Sequence, residues 1–372
     1  MLQRLALFTA VLLFAACGNT PPAGNGSGGG SGGAAGGGAG DDAGAGGGTG
    51  GGSGGGLGGG AGGGAGGGSG ADGGFAGIPY VFVIAMENKN DTGIYGNAGA
   101  PYINNTLMEQ YGHATNYTDN LPSYIPSEPH YVWMEASTNS FSDYYFISDN
   151  DPSDTNSTAS AAHIATQLKN ANNGRTWRSY QEGLNASTGA CPIHTSVPYA
   201  AKHDPFIFFT DVSGSPPSDT NPECAAHHRA YTTAGFQADL NSGDVAAYTF
   251  ITPNLCNDMH GDGSCTNGCT SGTAAACVSQ GDAWLATNVP PIINFMNAHG
   301  GVLFIIWDEP EAQPTEPFLV VGPHVKVKHA STVAYSHSSY VKTLDKILRL
   351  PVLSKANSAN DFSDFFETGY YP

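Results

Sequence analysis

The chain has 372 residues and a formal charge of −18, from 13 Lys+Arg against 31 Asp+Glu, and 54 of its residues are glycine. So acidic a surface repels polyanions, which excludes nucleic acid and an anionic bilayer as docking partners. An anionic ligand would need positive charge supplied locally, and a bound metal is one way to supply it.

The first element is a leader. "MLQRLALFTAVLLFAAC" carries Arg4, an apolar run over 5–14, then Ala15, Ala16 and Cys17. The run is too short to span a bilayer and fits a signal-peptide core over residues 1–16. Small residues before a cysteine resemble a bacterial lipobox, in which Cys17 is lipidated and anchors the mature chain to a membrane. The expected location is outside the cytoplasm, as an outer-membrane lipoprotein facing the periplasm or the cell surface, or as a secreted protein. Residues 17–77 are almost all Gly, Ala and Ser, which cannot bury a core and read as a flexible tether. Residues 78–372 suit one large domain.

Within that domain three segments share one design. "IPYVFVIAMENKN" predicts a strand at 80–85 that ends in Glu87 and Asn88. "AAYTFITPNLCNDMHGDG" predicts a strand at 247–252, followed by a polar loop with Asp258 and His260. "GVLFIIWDEPEA" predicts a strand at 302–307 that ends in Asp308 and Glu309. Continuous apolar runs of this kind are buried on both faces, as in parallel sheets. Helical periodicity separates them: "AHIATQLKNAN", a helix broken at the prolines of "WLATNVPPIINFMNAHG", and "SHSSYVKTLDKILRL". "ECAAHHRAY" reads as surface helix. The fold class is therefore α/β, a mostly parallel central sheet with helices on both faces. In such sheets ligands bind beyond the carboxyl ends of the strands, where every one of these polar clusters falls.

Glu87, Asn88, Asp308 and Glu309 offer three carboxylates and an amide oxygen, the donor set that hard or borderline divalent cations prefer. Without a cation such a cluster is repulsive unless water or scarce basic residues relieve it. "SYIPSEPHYVWMEAS" places Ser127 just before a helix expected from Glu128, with Pro129 in its first turn. A serine there can serve simply as an N-cap. The same position, beside backbone N–H groups and a metal, would activate its hydroxyl as a nucleophile. His260 and His337, the latter at a helix start, are candidates for proton transfer, for holding phosphate oxygens or for a second metal. Six cysteines follow Cys17; an even number in an exported chain reads as disulfides of undetermined pairing, and the spacing lacks the paired CxxC knuckles of a zinc site.

Taken in series, "VFVIAMENKN", "IPSEPHYVWM", "RTWRSYQEGL", "KHDPFIFFTDV", "ITPNLCNDMHGDG", "QGDAWL", "VLFIIWDE" and "YSHSSYVKTLDKIL" resemble the bacterial phosphoesterase family of acid phosphatases and phospholipases C. That family belongs to the alkaline phosphatase-like superfamily, and the resemblance covers most of residues 80–351. It implies a metal-dependent phosphoesterase with Ser127 as nucleophile, Glu87, Asn88, Asp308 and Glu309 as metal ligands, and His260 and His337 as catalytic histidines. His130 and Asp258 would bind phosphate. Two residues depart from the family pattern: His130 stands where an asparagine is usual, and Glu128 replaces an apolar residue. Acid phosphatase activity is implied over phospholipase C, because the long C-terminal region of the latter is absent. A non-catalytic anion- or partner-binding surface lipoprotein on the same fold is the alternative from another class. The metal's identity, the substrate and the oligomeric state are not encoded in these motifs.

Overall fold

Six consecutive apolar residues form β1 (Val81–Met86), which lies at the centre of one eight-stranded sheet. The other strands are β2 (Gly112–Ala114), β3 (Trp177–Glu182), β4 (His228–Tyr231), β5 (Tyr248–Thr252), β6 (Val302–Trp307), β7 (Phe318–Val321) and β8 (Ala330–Ser331). Their spatial order is β4-β3-β5-β1-β6-β7-β2-β8. This computed structural model describes residues 77–122, 124–270, 274–312 and 314–372. The leader, Cys17 and all but the last residue of the Gly-rich stretch lie outside the described residues.

β1 runs parallel to β5 and β6, and β3 runs parallel to β4 and β5. β7 is antiparallel to both β6 and β2, so the sheet is mixed at that side. Alternation along β1 sorts its side chains to two cores. Val81, Val83 and Ala85 join Phe250, Phe304 and Ile306 on one face, while Phe82, Ile84 and Met86 join Ile251, Leu303 and Ile305 on the other. Helices Ser127–Ala136, Ile164–Ala171 and His337–Ile347 cover the first face. Helices Thr233–Ser242 and Ala274–His299 cover the second. Burial of both faces is why these strands read as unbroken apolar runs.

Three local expectations need correction. The helix expected to break at Pro290 and Pro291 runs unbroken from Ala274 to His299. An interior proline costs about 3 kcal/mol, and burial of Leu285, Val289, Ile292 and Met296 against the sheet offsets that cost. "ECAAHHRAY" is helix only as far as His227; His228 begins β4 and is buried, its Nε2 2.9 Å from Asp204 Oδ2. Finally, Ser127 is the first helical residue and Pro126 the N-cap, so the Ser127 hydroxyl makes no capping bond.

The six cysteines form Cys191–Cys224, Cys256–Cys265 and Cys269–Cys277. The last two staple the loop that follows β5. Gly281, in "QGDAWL", lies under that loop, where an added Cβ would come within 2.4 Å of Met259 Cγ. The next residue, Asp282, accepts from the backbone N–H groups of Tyr102 and Ile103 at 2.9 Å each. That pair of bonds explains a carboxylate in the middle of a helix.

Candidate active site

The register that pairs Met86 with Trp307 brings the residues after β1 and β6 side by side. Backbone bonds then tie three strand ends together. Asp308 N–H donates to Met86 O at 3.0 Å and Glu87 N–H to Asp258 O at 2.8 Å. Asn88 adopts φ +22° there, which aims its N–H at Asp308 Oδ1 at 2.9 Å and its side-chain amide at Glu309 Oε1 at 2.8 Å. Met259, between Asp258 and His260, also has positive φ, at +85°. Non-glycine residues held in this region cluster at functional sites because surrounding contacts must over-determine them.

Ser127 enters from the face covered by its own helix. Its Oγ lies 3.3 Å from Glu87 Oε2 and 3.2 Å from Glu309 Oε1. Tyr131, one turn further on, donates from its hydroxyl to Glu87 Oε1 at 2.6 Å. The hydroxyl and the acids that sequence reasoning assigned to one site therefore meet.

Burial and crowded like charge dominate the electrostatics of this cluster. Burial, then the neighbouring charges of Asp308 and Asp258, pushes the Glu87 carboxyl well above the usual range. Burial followed by Asp308 raises Glu309 to about 8. Asn88 Oδ1, Asp258 Oδ2 and Asp308 Oδ2 are buried without a hydrogen-bond partner among the described residues. Orphaned oxygens converging with raised carboxyls fit a divalent cation, which would supply the missing partner and the opposing charge. The tightly grouped donor set among the described residues overlaps this cluster without coinciding with it: ligating atoms of Glu87, His203 and Asp258 lie within 4.8 Å of one another. His203 Nε2 is 3.3 Å from Glu87 Oε1, and burial holds its ring neutral, the state in which imidazole binds metals.

The remaining expected residues sit around this centre. Asp258 Oδ1 accepts from His260 N–H at 2.7 Å, and Asp258 also belongs to the donor set with His203. His260 is partly exposed and its Nδ1 is 2.8 Å from Gly261 O, which leaves Nε2 available. His130 is fully buried, with Nδ1 3.1 Å from Asp119 Oδ1 and Nε2 3.7 Å from Glu309 Oε2. Burial alone would lower its pKa, but Asp119 and Glu309 outweigh that and bring it to about 9, so the ring is an imidazolium. His337 is also buried, and both ring nitrogens are engaged: Nε2 lies 2.6 Å from Asp308 O and Nδ1 2.9 Å from the Tyr117 hydroxyl. Burial lowers it to about 4, so the ring is neutral and acts as a strut behind Asp308. Glu128 turns away from the acids, its Oε2 accepting from Asn150 N–H at 2.6 Å and from the Asn156 amide at 3.2 Å.

Sequence reasoning gave no role to His203, Tyr131, Asp119 or Lys202. His203 stands in "KHDPFIFFTDV", a segment the family resemblance marked, but it sits in a short 3-10 helix, Ala201–His203, with no strand end to announce it.

Residues 85–351 match the phosphoesterase family. The chain is 26% identical over 290 residues to the phosphatidylinositol-3-phosphatase of Mycobacterium tuberculosis, covering 77% of this chain and 82% of that one. Among solved structures it is similar to murine ectonucleotide pyrophosphatase/phosphodiesterase 5, an inactive variant in complex with AMP. There the TM-score is 0.50 and the identity 11%, over 77% of this chain and 100% of that chain. It is also similar to an alkaline phosphatase superfamily protein of Vibrio parahaemolyticus, with TM-score 0.48 and 11% identity over 77% and 70% of the two chains. The former likeness bears on the fold alone.

Proposed function

The chain belongs to the phosphoesterase family and is a hydrolase of phosphoric esters; from that premise we propose an exported, metal-dependent acid phosphatase that acts through Ser127. The observation that carries the reading is the Ser127 hydroxyl held between Glu87 and Glu309 at 3.3 and 3.2 Å. Glu87, Asn88, Asp308 and Glu309 would hold a divalent cation, with His203 and Asp258 able to join Glu87. When bound, that cation would supply Lewis-acid charge at the phosphate ester.

The chain's own groups carry the rest. Ser127 Oγ forms a bond to phosphorus as the ester oxygen leaves, its proton passing to the acidic cluster. The leaving oxygen takes a proton from His260. Water then attacks the phosphoserine and the proton returns to Oγ. Asp258, His130 and the helix N-terminus orient the phosphate oxygens. His337 keeps Asp308 aimed at the site.

The mycobacterial relative is named as a phosphatidylinositol-3-phosphatase, which favours a phosphatase over a phospholipase C. The leader, Cys17 and three disulfides favour export, with lipid attachment to a membrane. The test is turnover of a panel of phosphomonoesters and phosphodiesters between pH 4 and 9 with metals exchanged. Monoesters should lead, and Ser127→Ala should lose at least about 1000-fold in kcat. Unchanged turnover in that variant defeats the nucleophile; preference for diesters favours the phospholipase reading.

A further inference from the structure

Beside the acidic cluster lies a carboxylate that the proposed chemistry leaves unused. Asp149 Oδ1 accepts from the backbone N–H of Glu128 at 3.0 Å, one residue beyond the nucleophile and at the start of a ten-residue helix. Its other oxygen is paired with Lys202 Nζ. Lys202 directly precedes His203, and its charge acts on Glu87 and Asp308. Asp149 itself is on an exposed loop, pinned by the bond from Asn150 N–H to Glu128.

One carboxylate thus bridges an ammonium and a helix N-terminal amide next to Ser127. These two donors are the kind a phosphate dianion seeks. In a chain of charge −18 they are also scarce: an incoming phosphate meets mostly acids around Ser127. We propose that Asp149 holds the place of the substrate phosphate in the free protein, and that Lys202 and the Glu128 N–H exchange Asp149 for that phosphate when substrate arrives. Lys202 is then a substrate-binding residue, and Asp149 an internal competitor that tunes affinity. The long lysine stem lets the ammonium follow the ligand, while the exposed loop gives the displaced carboxylate water to enter. The inference rests on the phosphoesterase reading and deepens it.

The test is calorimetric titration of inorganic phosphate into the metal-loaded protein. Asp149→Asn keeps an acceptor for the Glu128 N–H but removes the charge, and should bind phosphate about tenfold tighter. Lys202→Met should bind it about tenfold weaker, because a desolvated charge partner is lost. In the Lys202→Met background, Asp149→Asn should change affinity by less than about twofold, since the competition is for Lys202. Equal or weaker binding by Asp149→Asn overturns the proposal, as would an undiminished gain in the Lys202→Met background, which marks a general charge effect. Absence of phosphate binding by all forms also overturns it. A fall in KM for a chromogenic phosphomonoester without change in kcat should accompany the tighter binding of Asp149→Asn. Lack of turnover by the unmodified protein sinks the enzymatic reading instead, and the phosphate titration separates the two failures. Thermal melts of each variant identify loss of fold.

Discussion

Glu128 provides the sharpest check of the electrostatics near the nucleophile. Its carboxyl is buried, and that burial raises it from 4.5 to about 8 against the help of Asn150 and Asn156. The unfolded chain therefore loses this proton near pH 4.5, while the folded protein keeps it until about pH 8. Between those limits the folded state binds more protons, so stability falls as pH rises, by about 1.4 kcal/mol per unit. The 3.5-unit difference between 8 and 4.5 accumulates to about 5 kcal/mol. Glu128→Gln preserves an oxygen for Asn150 and Asn156 and places an amide where the carboxyl proton sits, so it carries no such dependence. Measured with saturating metal, the two proteins should melt alike at pH 4.5 and diverge steadily. The variant should be ahead by roughly 10 °C at pH 8. Other carboxyls cancel in the difference. Parallel melting curves across this range would refute the reasoning, because they would mean that Glu128 ionises as readily in the fold as in water.

Two further outcomes follow from the packing and the donor set. Removing divalent metal with a chelator should abolish turnover and lower Tm by several degrees, with both restored on adding metal. A ligand at 100 times its Kd contributes about 2.7 kcal/mol to stability, and circular dichroism melts read this independently of activity. Gly281→Ala would drive a Cβ to 2.4 Å from Met259 Cγ. It should cost about 1–3 kcal/mol by overpacking and reduce kcat by displacing Asp258; an unchanged denaturation midpoint would show that the loop absorbs the methyl freely.

Much of this site was readable in the linear chain because strands buried on both faces advertise themselves. Val81–Met86 and Val302–Trp307 are uniformly apolar, so the switch to Glu-Asn and Asp-Glu marks where each strand leaves the core. The Ser127 helix is legible from Pro126 and Pro129, and of the two roles open to the hydroxyl, cap or partner of the acids, the fold realises the second. What stayed hidden depends on contacts far apart in the chain. His203 gains meaning through Glu87 and Asp258, and the charge of His130 through Asp119 and Glu309. Nor does local pattern reveal that the helix through Pro290 and Pro291 survives, since the sheet that stabilises it is built elsewhere. The reversal of β7 is equally silent: Phe318–Val321 is as apolar as the parallel strands Val81–Met86 and Val302–Trp307.

That reversal shapes how the site can change over time. Because β7 pairs antiparallel with β6, these two strands are neighbours joined at the catalytic end of the sheet and need no crossover. Their connection leaves Glu316 buried near His337, 3.8 Å from its ring. A connection of this sort can lengthen, shorten or vary its residues without disturbing strand pairing. Relatives with the same sheet can thereby acquire different surroundings for the acidic cluster, and selectivity can drift while the architecture beneath it stands still.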